Sequence, residues 1–404
     1  MKIVAIISEY NPFHNGHKYH IEKIREELGK DTAIIAIMSG SFTQRGELAV
    51  ADKVSRAKCA LLCGVNLVLE LPFPFSMSSA ELFAASGVRI ATSLGVVDHL
   101  SFGSESGDVN KLSAIAENML SEKFREELSL LLKNSDNAQL GYAALSERAY
   151  ETCFGSVEFE KTYTPNNILA IEYLKALKLE NSTVKPHTVK RIGAGYNDGL
   201  TDGTTLQSAS AIRHIISDGD ISALEYVPDC TKNVYLELIK EGYFPSCESK
   251  LSEAVISFLR LNPALSDNIF DAQGGLYNRL RDKSFETTSI SSLVSLSATK
   301  KYTVARIRRA LWNSFFGVTS SEIKELPKYT QLLAADNIGV EILKSIKKVS
   351  DFPVITKPSS YTELSCEIVK QKELSVRAES VWTLSLPKSL SGRFPLKFTP
   401  FVKK

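Results

Sequence analysis

Two histidines near the amino terminus have a type and spacing that could bind a nucleotide phosphate. His14 and His17 flank Gly16, and they follow the apolar run of residues 3–7 and the turn-forming Pro12. Imidazole N–H groups held by a rigid turn can stabilise the negative charge that develops on the α-phosphate of ATP when it is attacked. The absent side chain of Gly16 lets a ligand approach the backbone closely. The turn therefore predicts a site at which an ATP phosphate reacts.

A strand and a helix must hold this turn. The run of residues 3–7 is rich in Val and Ile, as is typical of a buried parallel strand. After Gly16, apolar residues recur at helical spacing at Ile21, Ile24 and Leu28, and Gly29 follows as a stop. The histidines are thus expected in the first turn of a helix at a strand's carboxyl end, where free N–H groups and the helix dipole favour anions.

Two other interpretations use the same residues. A bare His-x-x-His is often a pair of surface histidines at a helix start, and His20 extends the series at three-residue steps, as in some zinc sites. However, steps of three rotate around a helix, and no cysteine or carboxylate pattern completes a tetrahedral set nearby. We therefore favour the phosphate site and predict no metal site of protein ligands.

The composition of the chain limits the classes of protein to which it can belong. The 404 residues are 44% hydrophobic and 23% charged, as in ordinary soluble proteins, and the length suggests two or three domains. The formal net charge is only +2, so binding of a nucleic acid would require a local basic patch. Six cysteines without a Cys-x-x-Cys pair indicate reduced thiols and a cytoplasmic protein. No signal peptide and no membrane span are expected.

Apolar runs alternate with helical patterns over the first hundred residues. The runs are 3–7, 33–38, 67–71 and 97–102. This rhythm predicts a Rossmann-like α/β fold, with a parallel sheet, helices on both faces and ligands at the carboxyl ends of the strands. We expect one domain over residues 1–218, with a helical insertion at 108–160, and a mainly α-helical domain over residues 219–404.

Three later groups could complete the site. Asn166 or Asn167 could offer an amide to adenine or ribose, or could simply cap the helix that follows. Arg191 stands at the end of a short strand-like run beside glycines, where it could bind a phosphate or form a surface salt bridge. Ser208 and Arg213 lie at a helix start and could converge on the β- and γ-phosphates, or could be an N-cap and a solvated arginine.

A basic segment lies in the carboxyl-terminal half. Its cations are Lys300, Lys301, Arg306, Arg308 and Arg309. Val304, Ile307 and Leu311 form an apolar seam that would leave one basic face, and Tyr302 adds a possible stacking surface. The face could bind RNA, or it could be an ordinary solvated helix face.

Several of these segments together resemble one enzyme family. Residues 8–17 look like the His-x-Gly-His motif of the nucleotidylyltransferase superfamily, with the sequence Ser-Glu-Tyr-Asn-Pro-Phe-His-Asn-Gly-His. Residues 208–213 resemble the second motif of this superfamily, the Ser-Ser-Thr-x-Ile-Arg phosphate motif. More narrowly, the chain resembles the tRNA(Met) cytidine acetate ligase family, in segments 38–47, 69–72, 102–105, 165–167 and 191–196.

The resemblance implies a nucleotidylyltransferase domain followed by a tRNA-binding helical domain, and a reaction in two steps. Acetate and ATP, the latter with Mg²⁺, would form acetyl-adenylate and pyrophosphate. The acetyl group would then pass to N4 of the wobble cytidine in elongator tRNA(Met). No membrane and no obligate protein partner are implied, and the enzyme would be cytoplasmic.

The resemblance also implies roles for particular residues. His14 and His17 would be catalytic, stabilising the α-phosphate, and Ser208 and Arg213 would bind phosphates. The other ATP-binding residues would be Ile7, Ser8, Glu9, Tyr10, Asn11, Pro12, Phe13, Asn15, Gly16, His20, Gly103, Asn166 and Arg191. The five cations of the basic segment would bind tRNA.

Two alternatives remain on sequence grounds. The first is an adenylyltransferase acting on a small coenzyme precursor, although such an enzyme needs little beyond the nucleotide-binding domain. The second is a non-catalytic RNA-binding protein that has kept a nucleotide-binding fold, although His14, Gly16, His17 and Arg213 are all present.

Overall fold

The computed structural model describes residues 1–137, 139–155, 164–191, 207–217, 219–265 and 268–403. Segment 192–196, part of the resemblance, lies outside the described residues. The strands within them are β1 Ile3–Ser8, β2 Ala33–Ser39, β3 Leu67–Leu71, β4 His99–Ser104, β5 Lys185–Lys190, β6 Thr330–Ala335, β7 Val354–Ile355 and β8 Phe401–Val402.

The strands form one sheet in the order β5-β4-β1-β2-β3-β6-β7, and β8 also pairs with β6. The first five strands of this order are mutually parallel, which confirms the predicted Rossmann-like core. Strand β6, which lies beyond the predicted strands, runs antiparallel to β3, so the complete sheet is mixed but mainly parallel. The fourth predicted strand is displaced by two residues, from 97–102 to His99–Ser104.

Helices connect the parallel strands and make up most of the rest of the described chain. They are α1 Asn15–Leu28, α2 Lys53–Leu62, α3 Ala80–Ser93, α4 Val109–Leu120, α5 Glu122–Lys133, α6 Tyr142–Phe154, α7 Pro165–Leu179, α8 Ala209–Ser217, α9 Asp229–Glu241, α10 Ser252–Leu261, α11 Leu276–Ser284, α12 Ile290–Ser297, α13 Val304–Phe316, α14 Ser320–Lys324, α15 Asn337–Val349, α16 Cys366–Trp382 and α17 Phe394–Lys397. Within the described part of the chain, none of them has both the length and the apolar character that crossing a membrane requires.

Alternating side chains of β1 build two cores, one on each face of the sheet. Ala5 and Ile7 belong to a cluster that includes residues of α3, α4 and α7. Val4 and Ile6 belong to a second cluster, which includes residues of α1, α2 and α9. Because successive strand residues point to opposite faces, a run that is apolar at every position must be covered on both sides. The predicted helices on both faces are therefore confirmed.

The carboxyl-terminal helices α10 to α13 and α16 share a core with Phe42 and Leu48 of the β2–α2 loop and with Phe73 and Met77. The indole N–H of Trp312 on α13 donates to the Gly46 carbonyl at 3.1 Å, and that of Trp382 on α16 donates to the Ala49 carbonyl at 2.9 Å. Strands β6 to β8 also come from the region beyond residue 219 and join the sheet. The domain division at 218/219 stays a prediction, and the contacts across it are extensive.

Candidate active site

The turn between β1 and α1 is held from behind by buried polar groups. Arg56 is fully buried and donates from its guanidinium to the Glu9 carbonyl at 2.6 Å. The side-chain oxygen of Asn11 accepts from the backbone N–H of Val50 at 2.8 Å. These bonds tie the turn to α2 and to the preceding loop. The side chains on its front are therefore positioned before any ligand binds, which is the condition for electrostatic catalysis.

His14 and His17 cap helix α1 reciprocally. Nδ1 of His14 accepts from the backbone N–H of Gly16 at 3.0 Å, and Nδ1 of His17 accepts from the backbone N–H of His14 at 3.2 Å. This is the geometry of a capping box, with histidines in the positions that Ser or Thr and Glu usually take. A Cβ at position 16 would lie 2.8 Å from Cε1 of His14 and would displace the ring. Gly16 is thus required by the position of His14.

The capping bonds determine which edge of each ring faces the cavity. A neutral imidazole carries one proton, and both Nδ1 atoms already act as acceptors. Both rings therefore carry the proton on Nε2. His14 and His17 line the same cavity, with ring centroids 3.8 Å apart. The pair presents two neighbouring N–H donors next to the free N–H groups of a helix start, which is a suitable environment for a phosphate oxygen.

His20 has a different orientation because a chain of hydrogen bonds holds its other edge. Nε2 of His20 lies 2.8 Å from Oγ of Ser101, which lies 2.9 Å from Nδ1 of His187; Nε2 of His187 lies 2.8 Å from the Glu27 carboxylate. A carboxylate only accepts hydrogen bonds, so a neutral His187 donates from Nε2 to Glu27. Its Nδ1 then accepts from the hydroxyl of Ser101, and the oxygen of Ser101 accepts from Nε2 of His20. His20 lines the cavity and presents an Nδ1 acceptor.

Burial keeps the three rings neutral. Desolvation lowers the pKa of His14 to about 3, and the positive charges of Arg191 and Arg213 act in the same direction. Desolvation likewise lowers the pKa of His20 to about 3 and holds the pKa of His17 well below its usual range. The interpretation of these residues as solvated surface histidines is therefore wrong.

The lowered pKa of His14 makes stability depend on pH. The unfolded chain binds a proton at His14 below about pH 6.5, whereas the folded chain does not until about pH 3. The unfolded state then holds more protons, so the free energy of unfolding falls as the pH falls. His14→Asn keeps a cap acceptor but does not titrate. As the pH is lowered below 6, we expect the free energy of unfolding of the wild type, relative to that of this variant, to decrease by about 1.4 kcal/mol per pH unit.

Urea unfolding of both proteins at pH 7, 6 and 5 measures this difference. A stability difference that is independent of pH would show that His14 is not buried as a neutral ring.

The β4–α4 loop and the start of α7 form the adjacent wall. The Glu105 carboxylate accepts from the Asn166 side chain at 2.6 Å, and from the backbone N–H groups of Asn166 at 3.2 Å and Asn167 at 2.8 Å. The cap of α7 thus comes from Glu105, and capping by either asparagine is ruled out. Asn167 is buried, and its side-chain oxygen accepts from the Glu105 backbone N–H at 2.9 Å. Asn166 and Gly103 line the cavity.

Arg191 follows β5 directly and also lines the cavity. Its side chain passes over Gly103, where an added Cβ would lie 3.3 Å from Cγ of Arg191. Among the described residues, no carboxylate lies within ion-pair distance of its guanidinium, so the salt-bridge alternative has no support there. A guanidinium that lines the cavity and has no carboxylate partner among the described residues is available to an anion.

Ser208 and Arg213 lie at the start of α8, close to the histidine turn. Oγ of Ser208 accepts from the backbone N–H of Ala211 at 3.2 Å, so Ser208 is a cap as well as a cavity residue. Arg213 is not solvated. Its guanidinium donates to the Asn11 carbonyl at 2.9 Å and to the Glu47 carboxylate at 2.5 Å. This arginine therefore joins α8 to the β1–α1 turn.

A further part of the lining includes Thr43, Gln44, Arg45 and Glu47 from the loop after β2, at the strand end where the sequence predicts ligand binding. It also includes Thr303, Val304 and Ala305 at the start of α13, which the sequence does not indicate. The polar loop after a parallel strand was a recognisable signal, since such loops lie at the binding edge of the sheet. Residues 303–305 lie almost 300 positions from the histidines, and no local pattern connects the two.

Together these walls enclose a cavity of about 690 Å³, within the range of small-molecule sites. The predicted residues that line it are Ile7, Ser8, Glu9, Tyr10, Asn11, His14, Gly16, His17, His20, Gly103, Asn166, Arg191, Ser208 and Arg213. Pro12, Phe13 and Asn15 are not part of the lining. Pro12 and Phe13 are buried behind the turn, and the Phe13 ring packs against those of Tyr10 and His17.

The basic segment is less open than its sequence suggested. Arg309 is buried and donates to the Asp271 carboxylate at 2.6 Å, and Arg308 pairs with the Glu248 carboxylate. Both arginines are satisfied within the chain. The prediction that they bind tRNA is therefore not supported by their surroundings, which instead fix α13 against its neighbours.

Tyr302 is also engaged rather than free for stacking. It is buried, its hydroxyl donates to the Gly274 carbonyl, and its ring is contacted by Lys301 and Arg306, whose charged groups lie 5.4 and 5.3 Å from the ring centroid. Lys300 is exposed, and Lys301 and Arg306 are partly exposed. These three cations keep the predicted RNA role, beside the opening formed by residues 303–305.

The zinc alternative finds no support in the part of the chain that the structure describes. No group of three His, Cys, Asp or Glu residues there could hold a metal ion. His14, His17 and His20 each use one ring nitrogen for a hydrogen bond within the protein. Any metal at this site would have to be held largely by the substrate, and we assign no step to one.

Comparison with known proteins places this geometry in context. The family model described as HIGH Nucleotidyl Transferase matches residues 1–393. A protein of Thermoanaerobacter pseudethanolicus named tRNA(Met) cytidine acetate ligase is 39% identical over 394 residues, which cover 96% of each chain. A protein of Caldanaerobacter subterraneus with the same name is 38% identical over an alignment of 407 positions, which covers 100% of each chain.

Two solved structures match this chain over its full length. The crystal structure of Thermotoga maritima TmcAL bound with alpha-thio ATP matches with a TM-score of 0.90 at 30% identity, covering 100% of this chain and 99% of that one. The apo form of the same protein matches with a TM-score of 0.91 at 31% identity and the same coverage.

Proposed function

Because this chain belongs to the tRNA(Met) cytidine acetate ligase family of HIGH nucleotidyl transferases, we propose that its cavity activates acetate with ATP and acetylates the wobble cytidine of elongator tRNA(Met). The observation that carries this proposal is the pair of Nε2–H donors on His14 and His17, fixed at a helix start in a cavity that also contains Arg213. These groups suit a reaction at a phosphate.

In the first step a carboxylate oxygen of acetate attacks the α-phosphorus of ATP. A P–O bond forms, the bond to the β-phosphate breaks, and pyrophosphate leaves. The non-bridging oxygens gain charge in the transition state, and the Nε2–H groups of His14 and His17 are placed to stabilise it. Ser208 and Arg213 are proposed to hold the leaving pyrophosphate, with the N-terminus of α8 contributing its dipole.

The adenosine is proposed to occupy the side of the cavity formed by Gly103, Asn166 and Arg191. His20 offers an acceptor there, suited to a hydroxyl or an amino group, because its Nε2 is bound to Ser101 on β4. This arrangement leaves the opposite wall, at the loop after β2 and the start of α13, for the acetyl acceptor.

In the second step the N4 amine of cytidine attacks the acetyl carbonyl and AMP leaves. Acetate is a poor acyl donor, and the mixed anhydride supplies the leaving group that the amine needs. The anticodon loop is single-stranded, so no duplex has to be opened. The side chains that line the cavity do not require a covalent acyl-enzyme, and direct transfer is the simpler route.

The two alternatives are weaker after the comparisons. A coenzyme-precursor adenylyltransferase does not account for helix α13, which lies at the mouth of the cavity and belongs to the region matched over the full length of the relatives. A non-catalytic binding protein does not account for the paired donors of His14 and His17.

Transfer of radiolabelled acetate to unmodified elongator tRNA(Met) tests the proposal. We expect N4-acetylcytidine at the wobble position only when ATP is present, and none with a tRNA whose wobble base is uridine. Consumption of ATP with a phosphorylated coenzyme precursor, without acetylation of tRNA, would instead support the adenylyltransferase.

The exposed cations beside the cavity give a prediction for tRNA binding. The double variant Lys300→Ala/Lys301→Ala should weaken tRNA binding and leave the KM for ATP unchanged. Because each lost phosphate contact lowers the salt dependence of binding to a single strand by about 0.7, the slope of log K against log salt should fall by about 1.4. Filter binding at several salt concentrations measures it.

Lys347→Ala/Lys348→Ala is the matched control, since it removes the same charge from exposed positions on α15, which contributes no residue to the cavity lining. Lys300 and Lys301, by contrast, shortly precede the lining residues 303–305. Equal losses of tRNA affinity in both double variants would contradict a specific role for Lys300 and Lys301.

A further inference from the structure

The acetyl transfer described above releases a proton from the attacking amine, and a group in the cavity must accept it. In the described lining, the carboxylates and imidazoles are Glu9, Glu47, His14, His17 and His20. The two capping histidines have no free acceptor, because their Nδ1 atoms already accept backbone N–H groups. Glu47 is paired with a guanidinium. Glu9 and His20 therefore keep an acceptor that no positively charged side chain engages among the described residues.

Glu9 and His20 face different parts of the cavity. His20 is bound to Ser101 on β4, on the side of the cavity with Gly103 and Arg191. Glu9 follows β1 and accepts from the backbone N–H of Gln44 at 2.9 Å, so its carboxylate faces the loop after β2. This loop belongs to the wall assigned to the acetyl acceptor.

Glu9 has one oxygen committed and one available. Oε1 accepts from Gln44, and Oε2 has no hydrogen-bond partner among the described residues although Glu9 lines the cavity. The backbone of Glu9 is clamped by Arg56, which is fully buried and also donates to the carbonyls of Ser39 and Gly40. The available oxygen is therefore held in place by a rigid support.

The chemistry of this oxygen matches the acceptor base. The exocyclic amine of cytosine is a hydrogen-bond donor, and carboxylates are its usual protein partners. Uracil presents a carbonyl oxygen at the same place, which an ionised carboxylate repels.

We propose that Glu9 binds the N4 amine of the acceptor cytidine and removes its proton during acetyl transfer, an inference that rests on the proposed function. As the nitrogen lone pair attacks, the C–N bond forms and the bond from the acetyl carbon to the adenylate oxygen breaks. AMP leaves with the bonding electrons. The N4 proton passes to Oε2 of Glu9 and then to water.

The electrostatic surroundings suit a base. Burial raises the pKa of Glu9 above its usual range, Arg213 opposes this shift, and the Gln44 N–H does so too. Glu47 raises the pKa and Arg45 lowers it, while Arg56 and Tyr173 are the other titratable groups near it. A base whose pKa lies closer to the working pH is a more effective catalyst.

The test compares the two half-reactions in Glu9→Gln. Glutamine keeps an oxygen for the Gln44 N–H but cannot take a proton. We expect single-turnover acetyl transfer to tRNA to fall by about 10²- to 10⁴-fold, and acetate-dependent ATP–pyrophosphate exchange to fall by a much smaller factor. The rise of the wild-type transfer rate with pH should be absent in the variant.

Glu9→Asp is the matched control, because it keeps a carboxylate and should recover the pH dependence at a lower rate. Transfer at the wild-type rate in Glu9→Gln would overturn the proposal, as would an equal loss of exchange and transfer, which would make Glu9 a structural or nucleotide-binding residue. Absence of both half-reactions in the wild type would instead refute the proposed function itself.

Discussion

His17→Asn is expected to lower acetate-dependent ATP–pyrophosphate exchange by about 10²- to 10³-fold at saturating substrates. The asparagine oxygen can replace Nδ1 as acceptor of the His14 N–H, so the cap of α1 should persist. The Nε2–H donor toward the α-phosphate is lost. The effect should appear in kcat, because the donor gains strength only as charge develops in the transition state.

His17→Gln is the matched control, since it places an amide N–H near the position of Nε2 but loses the capping acceptor. We expect it to be more active than His17→Asn and less stable by about 1 kcal/mol. Equal activity and equal stability in the two variants would mean that the ring acts only by packing against Tyr10 and Phe13.

Arg213→Leu is expected to reduce adenylate formation by about 10³-fold, as for other arginines that stabilise transferring phosphates. The change removes a positive charge from the proposed pyrophosphate site. It also removes the bond to the Asn11 carbonyl and leaves the Glu47 carboxylate unpaired in the cavity. Both consequences disfavour ATP, so KM should rise while kcat falls.

A double-mutant cycle with Glu47→Gln separates the two consequences. If the unpaired Glu47 charge repels ATP, the double variant should bind ATP about tenfold more tightly than Arg213→Leu alone, a difference of about 1.4 kcal/mol in binding free energy, whereas Glu47→Gln alone should not tighten binding. Additive effects would show that Glu47 has no part in the loss, and unchanged exchange in Arg213→Leu would remove Arg213 from the site.

The sequence was sufficient for the central parallel strands and for the β1–α1 turn. Their side chains are apolar at every position, which indicates burial on both faces, and Gly29 ends α1 where expected. Strand β6 could not be identified, because its short apolar run also fits a buried helix segment. Its antiparallel pairing with β3 depends on contacts between segments about 260 residues apart.

The site was predictable where a short motif contains it. His14, Gly16 and His17 follow from the type and spacing of the residues, but the hydrogen bonds that cap α1, from which the proton positions are inferred, are visible only in the three-dimensional structure. The basic segment shows the limit most clearly. The sequence displays its cations but not the carboxylates that meet them in the fold, and Asp271 and Glu248 neutralise Arg309 and Arg308 from positions about 40 to 60 residues away.

The contact between Glu9 and the loop after β2 is another feature of the site that the sequence does not predict. Its role depends on which wall of the cavity it faces, and that wall is assembled from two loops and a helix of the carboxyl-terminal region. Local pattern places Glu9 in the turn but does not indicate its neighbours.

The fate of the acetate oxygen tests the central claim most directly. The enzyme would be incubated with acetate labelled with oxygen-18 in its carboxylate, ATP and elongator tRNA(Met), and the phosphate products analysed by mass spectrometry. Attack of acetate on the α-phosphate predicts one labelled oxygen in AMP and unlabelled pyrophosphate. Label in orthophosphate, accompanied by ADP, would mean that acetate attacks the γ-phosphate, and would contradict the assignment of His14 and His17 to the α-phosphate.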